Sequence, residues 1–311
     1  MDKTLFGSIV VAIISAFVVG AAFAQHAPLH QTPDCELQHS KVSVPIDLSG
    51  RKPTVMASIN GKGPFKFFLD TGAGAAVSFE KKLASELGLT VHGTTRVGDP
   101  SNPSAIEADN VIAESIALGE ATFRNVGGIA WGRSGLYSGE NAPRGILGFP
   151  LFAKCLLTID YPRSEMRLES GRLDAAAEHV VSFTTAEGGI PQIKVIVAGK
   201  EMPAHLDSGA MGAISIPSNM EKDFKWIKEP VVVGRGRTAN SDFEIRAGEI
   251  EGTVQFAGHT FTNPKVNLSP VLDRIGFVNI GSALLKDFVV TIDSANHKMR
   301  LTRYETKGSN K

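Results

Sequence analysis

A mostly β chain built as two similar lobes is what this 311-residue sequence predicts, and three observations carry the prediction. Short runs of β-prone residues recur between Gly, Asn and Pro, as at 194–197 and 253–256. The tract from Thr158-Ile159-Asp160 to Met166-Arg167-Leu168 returns as Thr291-Ile292-Asp293 to Met299-Arg300-Leu301. Two stretches, Phe67-Phe68-Leu69-Asp70-Thr71-Gly72-Ala73 and Ala204-His205-Leu206-Asp207-Ser208-Gly209-Ala210, each set an aspartate after apolar residues and before a small hydroxyl residue and glycine. Ile146-Leu147-Gly148 ends 78 residues after Asp70, and Asn279-Ile280-Gly281 ends 74 after Asp207. Features in one order at one spacing imply a duplicated structural unit.

The elements follow in chain order. Residues 1–24 read as a signal peptide: a basic Lys3, an apolar run over 5–19, then Gly20-Ala21-Ala22-Phe23-Ala24 before Gln25, with cleavage expected after Ala24. An uncleaved anchor facing outward is the alternative, because the run is about long enough to cross a bilayer. A periplasmic or secreted location follows, and the remaining chain suits two lobes of ordinary size. Residues 25–39 form an N-terminal arm, 40–170 lobe 1, 171–178 a polar linker, 179–303 lobe 2 and 304–311 a polar tail. Val42, Val44, Ile46 and Leu48 alternate as a half-buried strand does at the start of lobe 1, and 180–185 is its counterpart in lobe 2. After the first aspartate motif, Ser78 is positioned to cap a helix over 80–87 that Gly88 stops, and Ser218-Asn219-Met220-Glu221 reads as a capping box after the second.

Composition narrows the partners. With 32 acidic and 32 basic residues, neither nucleic acid nor an anionic membrane is expected as a partner. No Cys-x-x-Cys or His-Glu-x-x-His spacing occurs, so no metal is expected, and no cofactor either. Gly234-Arg235-Gly236 lacks the third glycine of a dinucleotide loop, and Gly132-Arg133-Ser134-Gly135 is one residue short of a nucleophile elbow. Cys35 and Cys155 are free to form a disulfide in an exported protein or to remain separate thiols.

The paired Asp-Thr/Ser-Gly motifs with their downstream glycine elements resemble the aspartic peptidases, and the resemblance spans nearly all of residues 40–303. Asp-Thr-Gly-Ala at Asp70 is closer to the bacterial retropepsin-like proteins than to digestive pepsins. The resemblance implies two pepsin/retropepsin-like β-barrel lobes with an active-site cleft between them, and an exported aspartic endopeptidase acting on a peptide or protein substrate. A catalytically weak or inactive binding protein on the same fold is the alternative, and one chain carrying both aspartates suits a monomer. Asp70 and Asp207 would be the catalytic pair: two carboxylates about 3 Å apart cannot both ionise cheaply, so they share a proton and act as base and acid at once. Thr71 and Ser208 would bond across to the opposite loop, while Gly72 and Gly209 allow the close backbone approach. Val97-Gly98-Asp99 and Gly234-Arg235-Gly236 are candidate flaps, lying 28 and 27 residues after their aspartates when measured to Gly98 and Gly234. Tyr137, Tyr161 and Tyr304 all lie outside these windows, so a pepsin-type flap tyrosine is missing. His205, two residues before Asp207 on an extended strand, faces the same side and reads as a packed or rim histidine; if it sits near the pair, a charge there would favour ionisation.

Overall fold

The computed structural model describes residues 10–12, 32–98, 106–132, 141–186 and 189–304. Asp99, Tyr137, residues 133–135, and most of residues 1–31 and 305–311 fall outside them. The chain is mostly β, and its strands form three sheets.

The first sheet contains a closed barrel of six strands. Around it run Ala121–Trp131, Val77–Glu80, Gly145–Gly148, Lys62–Asp70, Thr54–Ile59 and Ile106–Leu118, which pairs back onto Ala121–Trp131. Gly145–Gly148 lies parallel to Lys62–Asp70 with Gly148 opposite Asp70, and it is buried along its whole length. A strand covered on both faces needs the continuous apolar run that Ile146-Leu147 supplies. The second sheet repeats the device, with Val278–Gly281 parallel to Lys200–Asp207 and Gly281 opposite Asp207. The similar spacings of the two aspartates to their glycines are therefore two copies of one strand register. Val10–Ala12 pairs in parallel with Arg235, Gly236 and Arg237 at an edge of this second sheet.

The third sheet joins the halves. Its order is Val180–Ser182, Lys298–Arg303, Phe288–Asp293, Leu156–Asp160, Glu165–Glu169 and Lys41–Pro45. The repeated tracts meet at its centre, where Thr158 lies opposite Thr291 and their hydroxyls are 3.0 Å apart. A single hydrophobic cluster draws on all three sheets, and edge-on aromatic pairs such as Phe67 with Phe79 fill the barrel.

Two capping expectations fail. The first helix is Lys81–Leu87, and Gly88 does close it in the left-handed conformation at φ 69°. Ser78 does not cap it, because the chain is still strand over Val77–Glu80 and the Ser78 side chain is buried there. Ser218–Asp223 is a 3₁₀ turn without a capping box. Both would-be capping groups have stronger partners elsewhere: Ser218 donates to Asp273 at 2.7 Å, and Glu221 takes a two-pronged ion pair from Arg246. The alternatives left open for the cysteines resolve into a disulfide, Cys35–Cys155, closing 120 residues.

Candidate active site

Asp70 and Asp207 each end a strand, and each is only 1% exposed. Their loops are locked by four reciprocal hydrogen bonds. The Thr71 hydroxyl donates to the Leu206 carbonyl at 2.6 Å and accepts the Ser208 N–H at 3.1 Å. The Ser208 hydroxyl donates to the Leu69 carbonyl at 2.7 Å and accepts the Thr71 N–H at 2.9 Å. Each hydroxyl thereby satisfies a buried donor and a buried acceptor of the other half, which fixes the two strand ends relative to each other.

The glycines are required by the opposite carboxylate. A Cβ on Gly209 would stand 2.1 Å from Asp70 Oδ2, and one on Gly72 would stand 2.6 Å from the Asp207 carboxyl carbon. Gly72 also donates its N–H to Asp70 Oδ1 at 2.9 Å. Asp70 is held well above the usual carboxylate range. Burial is the main cause and the charge of Asp207 the next, while Lys52 opposes both.

The pair is chemically unsymmetrical. Asn279 donates from Nδ2 to Asp207 Oδ2 at 2.8 Å, whereas the equivalent position in the first half is Ile146. Ser282 donates to the Ser208 carbonyl at 2.6 Å, and the Tyr161 ring is buried beneath, its phenol pushed up chiefly by burial. Lys52, buried at 4% exposure, sets its ammonium 5.4 Å from the centre of the Phe68 ring. The sequence singled out neither Lys52 nor Asn279. Asn279 was detectable by overlaying the two repeats, where it replaces Ile146; Arg51-Lys52 reads only as a solvated basic pair.

His205 is buried and stacked on Phe277 with ring centres 3.9 Å apart. It is the packed histidine that the sequence suggested: burial lowers its pKa to about 4, outweighing the opposite pull of Asp207, so the ring is neutral over most of the acid range.

The two candidate flap windows sit differently in their strands. Val97 ends the strand Val91–Val97, which is paired with Ile106–Leu118, and Gly98 follows at φ +134°. Gly234, Arg235 and Gly236 sit inside the strand Trp226–Arg237 and make no turn. Gly236 is small because the Phe243 ring of the paired strand lies over it, 2.4 Å from where a Cβ would be. The turn comes later, where the Thr238 N–H donates to the Ser241 carbonyl at 2.9 Å. The two hairpin ends meet: Gly98 abuts Asn240, and Ala239 packs in a cluster with Val97, Trp131 and Ala75 of the Asp70 loop.

Two cross-bonded loops, each with a glycine that makes room for the other's buried aspartate, define the class of an aspartic protease site. The family model described as aspartyl protease matches residues 55–151, a segment that includes Asp70 and Gly148. A crystal structure of a retropepsin-like aspartic protease from Rickettsia conorii is similar at 19% identity, covering 44% of this chain and 95% of that chain with a TM-score of 0.32. No curated protein matches the chain.

Proposed function

We propose that the chain is an exported aspartic endopeptidase, two-lobed over 40–170 and 179–303 and monomeric, in which Asp70 and Asp207 activate one water against a peptide carbonyl. The observation that carries the reading is the meeting of the two aspartates across cross-bonded loops. Asp70, kept protonated by burial and by its neighbour, donates its proton to the carbonyl oxygen. Asp207, oriented by Asn279, takes the proton from water, and the tetrahedral intermediate then collapses with proton transfer to the amine. The substrate lies extended beneath the hairpins, pairing its backbone as a strand would. Since both carboxylates are buried, the hairpins must part to admit it.

The same burial favours a second reading, a peptide-binding protein with little or no turnover. Incubating the mature chain with an unfolded protein from acid to neutral pH, beside Asp70→Asn and Asp207→Asn, separates the two. Cleavage by the parent alone is the expected result. Intact substrate in every sample would leave the binding protein, and cleavage by both variants would end the two-aspartate mechanism.

A further inference from the structure

Lys52 is the one buried lysine or arginine among the described residues. Its place is set by backbone bonds that do not involve its side chain. Asp47 and Thr54 exchange N–H to carbonyl bonds at 2.8 and 2.9 Å, closing the loop, and the Pro53 carbonyl accepts the Leu69 N–H at 2.9 Å. Residue 52 is thereby strapped beside the last residues of the Asp70 strand. Thr54 pairs with Phe68 as Gln192 pairs with His205, so the second-half counterpart of Lys52 is Ile190, which is also buried. The repeat thus provides an apolar position, and this half fills it with a cation.

Desolvating an ammonium is costly unless an opposite charge compensates it. Among the described residues the Lys52 ammonium has no hydrogen bond or close ion pair, only the face of Phe68. The charges that act on it are those of Asp70 first and Asp207 second. The other titratable groups facing the pair are Tyr161 and His205, and burial holds both neutral through the weakly acid and neutral range.

We propose that Lys52 is a third charged member of the catalytic centre, a built-in counter-cation that brings the Asp70 and Asp207 pair to its singly ionised state at lower pH than the pair would reach alone. It acts through space on the carboxylates and is a positioning residue for their shared proton. A fixed positive charge favours each deprotonation, so it draws both limbs of the pH profile toward acid. Burial lowers the pKa of Lys52 itself to about 8, with both aspartates pulling upward, so the charge is present throughout the acid range.

The proposal rests on the peptidase reading, and its test has one arm that does not. In the first arm, kcat/KM is followed against pH for the parent, Lys52→Met and Lys52→Arg. Both limbs are expected to move up by about one pH unit in Lys52→Met and to stay near the parent's in Lys52→Arg. Ile190 shows that the fold accepts an apolar side chain at this position. In the second arm, the lysine side-chain carbons next to the ammonium are titrated by NMR in the parent and in the Asp70→Asn, Asp207→Asn double variant. The Lys52 signal, assigned by its loss in Lys52→Met, is expected to titrate at lower pH once the charge of the pair is gone. An unmoved profile in Lys52→Met, or a Lys52 titration indifferent to loss of both carboxylates, overturns the proposal. A parent that cleaves nothing would remove the peptidase reading while the NMR arm still decides the role of Lys52.

Discussion

His205 shows how one buried side chain ties stability to pH. Its pKa is lowered to about 4 in the folded chain, against an ordinary value of 6.5, so the unfolded chain binds the extra proton first. The sign follows: the stabilising contribution is complete above pH 6.5 and is lost as pH falls toward 4. His205→Phe, the residue type found at the matching Phe68, is expected to flatten the loss of Tm across that window, and thermal melts from pH 7 to pH 4 would show it. Asp70 has the opposite linkage. Its raised pKa means that stability is full below the ordinary carboxylate value of 3.8 and falls as pH rises through the folded value. Asp70→Asn, which cannot ionise, is therefore expected to melt higher than the parent at neutral pH while losing about 10²- to 10⁴-fold or more in cleavage rate. A variant that melts lower at neutral pH would contradict the burial argument.

At the scale of elements, the aspartate loops and hairpins work by close approach. Gly209→Ala would drive a methyl into the Asp70 carboxylate, and overpacking of this kind costs about 1–3 kcal/mol. The expected outcome is a folded, less stable protein with its shared proton disturbed, seen as a lower urea midpoint with a changed pH profile. Asn279→Leu, resembling the Ile146 side of the pair, leaves Asp207 without its donor and is expected to lower kcat more than it raises KM. The first helix was legible because Gly88 stops it and its buried residues, Leu83, Ala84 and Leu87, share one face. The second hairpin was misplaced because glycine has two meanings in a strand-rich chain. Gly236 marks room for a facing ring, and only the pairing partner distinguishes that from a turn.

Across the whole molecule, the central sheet carries the internal symmetry, with Thr158 and Thr291 at its middle, and the disulfide ties the arm strand Asp34–Leu37 to the segment after Phe149–Phe152. Breaking Cys35–Cys155 with paired serines is expected to cost about 4 to 5 kcal/mol on the chain-entropy account of so long a loop, measured by denaturant unfolding. Cleavage is expected to decline toward alkali as the pair loses its second proton, and a profile flat into alkali would contradict a shared-proton mechanism.

Sequence alone determined the duplicated aspartate motif and the β-rich class, and its resemblance to the aspartic peptidases implied the cross-bonding of Thr71 and Ser208. Those features are local or periodic, and a repeat makes them visible twice. Tertiary structure alone decided that Cys35 meets Cys155, that Asn279 reaches Asp207, that His205 is buried neutral, and that Lys52 is buried over the Phe68 ring. Each of these depends on which distant strands share a register and on how much water their packing removes, and a residue's neighbours in the chain encode neither.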